Sequence, residues 1–235
     1  MAQARYEQVL IRHDFANGSG GWNTAKTLLE PHQLPAEFQA CWTSWLSLTA
    51  CTIDVPVAGD RMVLESPWWL DPNHAPPGAG YLGLVTWTYL DGGPDETTFG
   101  VPALDLRDVT LRVALRAENL DLKGSHLNFW FQTTMPDGRF ANFVYQRAPI
   151  ERHLPANGSD LELVEITLSG DPDAWTCLST APDRADFYGC MDVREAMSAV
   201  DNDFGFILFP VSGSPLPEDQ PSGRIEIQSI ELVRK

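Results

Sequence analysis

The sequence lacks the short motifs that mark many common catalytic sites. It contains no GxSxG nucleophile elbow, no phosphate-binding P-loop and no HExxH zinc motif. Histidine is scarce, and the five histidines show no metal-ligand spacing. Because there are thirty-two acidic residues, no particular carboxylate pair for glycosidase chemistry stands out. We therefore expect a non-catalytic protein and keep catalysis as an alternative.

Basic residues and long apolar runs are also in short supply. Sixteen Lys and Arg accompany the thirty-two Asp and Glu, which gives a formal net charge of −16. Since no basic patch is sustained along the sequence, we expect neither nucleic acid nor an anionic membrane as a partner. No apolar run approaches the ~20 residues of a membrane-spanning helix. With no signal peptide visible, the protein is expected to be cytoplasmic, or secreted after removal of a leader.

Cysteine is sparse, and its spacing leaves its state open. The four cysteines are Cys41, Cys51, Cys177 and Cys190. They could form two disulfides, for which three pairings exist, or they could be buried thiols. No CxxC pair is present, so a zinc site or a redox motif has little support.

Glycine and proline, by contrast, are plentiful, with 18 of each, and they indicate many turns. Strands are predicted at short intervals along the chain, at 8–15, 60–65, 81–90, 109–117, 161–168, 175–178, 204–211 and 224–233. One or two more are predicted within 38–55, a bulge near Gln228-Ser229, and one helix at 191–200 capped by Asp192. The pattern predicts an all-β fold, an antiparallel β-sandwich or jelly roll with one short helix. We expect a single domain over 1–235, with long loops at about 23–78 and 212–222.

A predicted hairpin at 125–148 dominates the middle of the chain, with its turn at 135–139. Successive side chains of a strand face opposite sides of the sheet, so its first strand presents two different surfaces. The apolar surface, which we expect in the core, consists of Leu127, Phe129 and Phe131. The opposite surface combines an aromatic ring with amides and an imidazole, in the row His126, Asn128, Trp130 and Gln132.

That second surface predicts a binding site for a sugar or a similar polar ligand. A sugar ring offers C–H bonds to an aromatic face and hydroxyl groups to amides and imidazole. Other side chains that could take part are Tyr145 and Arg147 on the second strand of the hairpin, and Trp68 and Trp69 in a proline-rich stretch. The alternative is structural: Trp130 packs under a loop or the helix, and its polar neighbours are satisfied locally.

The two ends of the chain carry motifs that point to a family. Asp14-Phe15 precedes a glycine-rich loop that ends on Trp22, and Gly223 precedes a final strand with alternating apolar residues. In these features the chain resembles the galactose-binding-like jelly rolls, the fold of many carbohydrate-binding modules. The resemblance implies a β-sandwich and carbohydrate binding.

The same resemblance implies a possible structural calcium ion. Such modules often hold calcium with an acidic residue of the last strand, which makes Asp14 and Glu226 the candidate ligands here. This chain departs from the family where Gln228-Ser229 replaces the more usual Asp-Asn pair.

The leading prediction is therefore a β-sandwich that binds a glycan or another small polar ligand through aromatic and amide side chains. A polysaccharide lyase or glycoside hydrolase on the same scaffold is the first alternative, with His126 as a candidate proton acceptor. A structural or adhesion module that uses its aromatic residues at a protein interface is the second. The sequence does not indicate an oligomeric state.

Overall fold

The chain folds into two antiparallel β-sheets that pack face to face. The computed structural model describes residues 7–28, 40–43, 49–71, 80–88, 103–154, 160–180, 185–211 and 219–234. Within these ranges lie fifteen strands and one short α-helix. The predicted all-β sandwich is confirmed.

The first sheet, called sheet A, has six strands. They are β1 (Gln8–His13), β5 (Val57–Ala58), β6 (Arg61–Glu65), β9 (Val109–Asp121), β12 (Glu162–Thr167) and β15 (Ser222–Arg234). Their order is β12-β9-β15-β6-β5, and β1 also pairs with β15. The long strand β15 therefore lies in the middle of sheet A, between β9 on one side and β6 with β1 on the other.

The second sheet, sheet B, has nine strands in the order β13-β11-β10-β14-β8-β2-β4-β3, with β7 paired to β8. They are β2 (Trp22–Leu28), β3 (Ala40–Thr43), β4 (Thr49–Asp54), β7 (Trp69–Asp71), β8 (Gly80–Thr88), β10 (His126–Thr134), β11 (Phe140–Tyr145), β13 (Trp175–Cys177) and β14 (Asp203–Val211). The predicted hairpin is β10–β11, and β10 lies between β11 and β14.

Aromatic side chains fill the space between the two sheets. Phe129 and Phe131 of β10 are 2% and 0% exposed, as their alternation predicts. Phe131 stacks on Phe143 of β11, and Phe129 contacts Phe204 and Phe206 of β14, with ring centroids 5.5–6.3 Å apart. The inner surface of the hairpin is thus the middle of the core.

Several boundaries differ from the predictions. The segment at about 23–78, predicted as a long loop apart from strands at 60–65 and within 38–55, carries six strands, β2–β7. Most of them pair with one another or with β8, and β6 also pairs with the last strand, β15. The helix, α1, spans only Val193–Met197, although Asp192 caps it as predicted by accepting hydrogen bonds from two backbone N–H groups. Residues 89–90 and 212–218, which belong to a predicted strand and a predicted loop, lie outside the described residues. That the chain is one domain stays a prediction.

The predicted bulge in the last strand is present. Along β15 and β9 the pairing shifts between Ile227 and Ser229, so Gln228 is the extra residue. The bulge reverses the alternation of the strand, which keeps Ile225, Ile227, Ile230 and Leu232 all buried.

Two of the cysteines are joined. Cys177 of β13 and Cys190 form a disulfide. Cys41 and Cys51 occupy paired positions of the neighbouring strands β3 and β4. Of the three pairings that the sequence allows, only Cys177–Cys190 with Cys41–Cys51 is compatible with this bond. No helix in the described part of the chain combines the length and hydropathy needed to cross a bilayer.

Candidate functional site

The predicted ligand row on the outer surface of β10 is closed. Asn128 is 0% exposed and Trp130 only 7% exposed. Trp130 belongs to a small apolar cluster on the outer side of sheet B, together with Tyr81, Val144, Leu178, Ile207 and Phe209. In this structure Trp130 therefore has a packing role. Its ring contacts side chains of neighbouring strands and is not open to a ligand.

The amides of the row also have partners within the protein. Asn128 Nδ2 donates to the carbonyl oxygens of His126 and Phe209, at 2.8 and 3.1 Å. Gln132 Nε2 donates to Asn142 Oδ1 at 2.8 Å, and Asn142 Nδ2 donates to Ser179 Oγ at 2.9 Å. Most of these amide groups thus stabilise sheet B and its link to Ser179, which follows β13. Asn128 Oδ1 and Trp130 Nε1 remain without a hydrogen-bond partner among the residues that the structure describes.

His126, at the start of the row, has a side chain that is 37% exposed. Its Nδ1 lies 2.7 Å from Oε1 of Glu151, on the 3-10 turn Ile150–His153, and Glu151 Oε2 accepts the backbone N–H of Leu127 at 2.8 Å. The carboxylate thus fixes the orientation of the ring and ties the turn to the start of β10. A carboxylate-oriented imidazole is one part of an acid–base site, and the alternative of catalysis at His126 stays a prediction.

The other predicted ligand residues do not join the row. Tyr145 faces the core, where its hydroxyl donates to the carbonyl of Thr167 and its ring packs on Trp175. Arg147 forms an ion pair with Asp171. Trp68 is 2% exposed, and the side chain of Trp69 lies outside the described residues. Asn128, Trp130, Trp68 and Tyr145 are buried in this structure. Ligand binding by the predicted residues stays a prediction.

One glycine motif needs its structural context. Residues 78–83, Gly-Ala-Gly-Tyr-Leu-Gly, match GxGxxG. In dinucleotide-binding folds this motif follows a strand and opens a helix. Here its described part, 80–83, belongs to β8 of an antiparallel sheet and opens no helix, so the match lacks the context of a dinucleotide site.

A cleft lies elsewhere, on the outer surface of sheet A. It has a volume of about 510 Å³, within the range of roughly 300–1,000 Å³ typical of small-molecule sites. Residues of β6, β9 and β15 and the turn after β6 line it: Glu65, Ser66, Arg116, Glu118, Asn119, Gly223, Arg224 and Glu226. The lining contains no aromatic or aliphatic side chain.

Glu226 is the centre of this cleft and is held by three arginines. Across the strand pair it faces Arg116, whose Nε donates to Oε2 at 2.9 Å. Arg224, two residues earlier on the same strand surface, donates through Nε to Oε1 at 3.0 Å, and Arg61 of β6 donates to Oε2 at 3.3 Å. The Arg116 hydrogen bond, aided by those from Arg224 and Arg61, lowers the pKa of Glu226 to about 2. At neutral pH Glu226 is therefore ionised and cannot act as a general acid.

A second ring of carboxylates surrounds the arginines. Glu118 pairs with Arg116 at 3.3 Å, and Glu65 pairs with Arg224 at 3.5 Å. Two arginines and three glutamates line the cleft, and Arg61 contributes one more positive charge to Glu226. The charges balance, so the cleft has little preference for an ion of either sign.

The wall of the cleft depends on an unusual backbone at Gly223. Its φ is +135°, and a Cβ there would lie 2.8 Å from Leu120 Cα and 2.9 Å from the carbonyl oxygen of Asn119. Only glycine fits this close approach between β15 and β9. Ser66 fixes the other side, since its Oγ accepts the Gly223 N–H at 3.2 Å and its own N–H donates to the Gly223 carbonyl at 3.0 Å.

Sequence reasoning did not assemble this cleft, although it named Glu226 as a candidate calcium ligand. The available clue was the alternation of charge on β9 and β15, with Arg112, Arg116 and Glu118 on one strand and Arg224 and Glu226 on the other. Charged residues at alternate strand positions are ordinary on a solvated surface, so the clue becomes specific only when the register is known.

The environment of Glu226 opposes the predicted calcium site. Three guanidinium groups already occupy its carboxylate oxygens. Asp14 follows β1, whose last residue pairs with Ile230, four positions along β15 from Glu226. Within the described ranges no group of three or more His, Cys, Asp or Glu side chains could hold a metal ion. Calcium binding therefore stays a prediction without structural support.

A half-buried histidine, His13, next to Asp14, gives a pH-dependent test of the fold. Burial lowers the pKa of His13 to about 4 from 6.5, and the nearby Asp14 charge only partly offsets this. The unfolded chain thus takes up its proton first as the pH falls, so the free energy of unfolding decreases between about pH 6.5 and 4. The loss should reach about 2 kcal/mol by pH 5.

Urea titrations at several pH values will measure this loss. The variant His13→Gln should have a flatter dependence between pH 6.5 and 4, while His153→Gln, which leaves His13 intact, should keep the wild-type slope. An unchanged slope in His13→Gln contradicts the assignment.

The fold and the site define a two-sheet β-sandwich with a charge-balanced polar cleft on one outer surface. Neither a scan of protein-family models nor a search of curated protein sequences found a match. Among solved structures, the chain is similar to the L4b domain of human laminin alpha-2, with a TM-score of 0.39 and 14% identity over 91% of this chain and 97% of that one. A likeness at this level carries no argument about ligand or location.

Proposed function

We propose that this protein is a non-catalytic binding module that takes a neutral, hydroxyl-rich ligand such as a sugar in the cleft of sheet A. The observation that carries the proposal is the all-polar lining of this cleft, where carboxylates and guanidinium groups alternate. Sugar hydroxyls donate to carboxylates and accept from guanidinium groups at the same time, so one ligand can use both.

The balance of charge is the reason for preferring a neutral ligand. A free anion would compete with Glu226 for the arginines, and a free cation would compete with those arginines for Glu65 and Glu118. Neither exchange gains an ion pair. A hydroxyl group of the ligand adds hydrogen bonds and leaves the existing ion pairs in place.

The cleft also differs from the aromatic platform that the sequence predicted. Because no ring lines it, stacking contributes nothing and hydrogen bonds must supply the affinity. Such bonds exchange with water and add only ~0.5–1.5 kcal/mol each. We expect weak binding of a single sugar and tighter binding of an oligosaccharide that spans the cleft.

The disulfide supports a location in an oxidising compartment. Such bonds persist in secreted and periplasmic proteins and are rare in the cytosol. Cys177–Cys190 therefore favours a protein that works outside the cytoplasm.

A glycan array of neutral and acidic oligosaccharides, followed by titration calorimetry of the best neutral binder, tests the proposal. Glu118→Gln removes one charged acceptor from the lining and should weaken binding by roughly tenfold or more. Glu165→Gln is the matched control, since Glu165 is similarly exposed and also pairs with an arginine of β9, Arg112, outside the cleft. Absence of neutral glycan binding, or equal losses in the two variants, overturns the proposal.

A further inference from the structure

A disulfide-closed segment covers one edge of sheet B. We call the described residues 177–180 and 185–190 the clasped segment; the Cys177–Cys190 bond joins its two ends. It continues from β13, the outermost strand next to β11. The disulfide belongs to sheet B, whereas the polar cleft lies on sheet A. An inference about the disulfide is therefore independent of the proposed ligand site.

The clasped segment supplies hydrogen-bond partners to the polar groups along the edge of β11 that is not paired with β10. Ser179 Oγ accepts hydrogen bonds from the backbone N–H and the side-chain Nδ2 of Asn142, both at 2.9 Å. The carbonyl of Phe187 accepts the N–H of Phe140 at 2.9 Å, and Gly189 N–H donates to the Phe140 carbonyl at 2.9 Å. Leu178, which is 0% exposed, belongs to the same apolar cluster as Trp130.

The bond that closes the segment is open to reagents. Cys190 is exposed and Cys177 is half-buried. A thiolate from solution therefore reaches the sulfur of Cys190 more easily than that of Cys177. Attack at Cys190 leaves Cys177 as the departing thiolate.

We propose that Cys177–Cys190 is a redox-controlled clasp that holds the segment along the edge of β11, with Leu178 in the Trp130 cluster, and releases it on reduction. The reductant is an external dithiol. Its first thiolate bonds to Cys190 Sγ and breaks the Cys177–Cys190 bond; its second thiolate then displaces Cys190. The external dithiol becomes a disulfide, and the two cysteines take up the two protons as thiols.

Release changes what the outer surface of sheet B presents. The amide pair Gln132–Asn142 loses its Ser179 partner, and Trp130 loses Leu178. Hydration of Trp130 Nε1 and Asn128 Oδ1, which have no hydrogen-bond partner among the described residues, offsets part of the cost of exposing the ring. The clasp stays closed in an oxidising compartment and opens where dithiols are present.

Amide hydrogen exchange of the whole protein, with and without dithiothreitol, tests the clasp. The N–H groups of Phe140 and Asn142 are direct reporters, because their acceptors are Phe187 O and Ser179 Oγ of the clasped segment. Freeing a loop of this length should raise their exchange rates roughly a hundredfold. Amides of β10, which lies between β11 and β14, should change far less.

The double variant Cys177→Ser, Cys190→Ser provides the same state without a reductant and should show the same fast exchange at Phe140 and Asn142. It also excludes effects of dithiothreitol on Cys41 and Cys51. If reduced wild-type protein keeps slow exchange at both reporters, the clasp is not what holds the segment. If β10 amides accelerate as much as the reporters, the bond stabilises the whole fold and the proposed local release is wrong.

Discussion

Replacing Trp130 with alanine is expected to lower the free energy of unfolding by about 3 kcal/mol. The indole is 93% buried among five other apolar side chains, so its removal leaves a cavity on the outer side of sheet B. For a chain of this length the midpoint of thermal unfolding should fall by roughly 6–12 °C. Thermal and urea unfolding of the two proteins will measure the difference.

Phe187→Ala is the control for this experiment. Phe187 is also aromatic, but it is 61% exposed, so its loss should change stability by no more than ~0.5 kcal/mol. Had Trp130 been an open ligand platform, Trp130→Ala would leave stability near that of Phe187→Ala and abolish glycan binding. Nearly equal stabilities of the two variants would contradict the packing role.

Glu226→Gln should destabilise the protein by about 3 kcal/mol and should also weaken ligand binding in the cleft. The carboxylate is only 8% exposed and compensates three guanidinium groups at once. A neutral amide of the same shape leaves Arg61, Arg116 and Arg224 close together without their common counter-ion. Denaturant unfolding at pH 7 measures the loss.

The pH profile offers a second measurement on the same residue. The pKa of Glu226 is about 2 in the folded protein and 4.5 ordinarily, so its stabilisation is complete above pH 4.5 and is lost as the pH falls towards 2. Glu226→Gln should remove this part of the acid sensitivity. This window lies below that of His13, which separates the two contributions.

Glu231→Gln is the matched control on the same strand. Glu231 pairs at 3.4 Å with a single arginine, Arg12, whose side chain is 63% exposed. Exposed pairs of this kind contribute ~0–1 kcal/mol. A Glu226→Gln variant no less stable than Glu231→Gln would show that the three arginines do not depend on Glu226.

For both Trp130 and Glu226, the type of side chain suggests one role and its surroundings in the fold give it another. Trp130 has the side chain of a sugar platform, yet it lies in an apolar cluster on the outer side of sheet B. Glu226 has the side chain of a calcium ligand, yet arginines surround it. Side-chain type suggested a function in each case, and the neighbours gave each residue a structural role.

The sequence by itself determined the β-sandwich class, the inner surface of the central hairpin and the bulge in the last strand. These features follow from alternation along single strands and from local turn chemistry. Leu127, Phe129 and Phe131 must face one side of β10 whatever else the chain does, and the shift from Ile227 to Ile230 requires one extra residue.

Only the tertiary structure decided what lies over the outer surfaces. Leu178 and Phe209 cover Trp130 from positions far along the chain, and Arg61 reaches Glu226 across 165 residues. A strand's alternation shows that it has two surfaces, but it carries no information about which distant segment covers the second one. The register of β6, β9 and β15 therefore created the cleft, and apolar side chains of neighbouring strands closed the centre of the row that the sequence had predicted to be open.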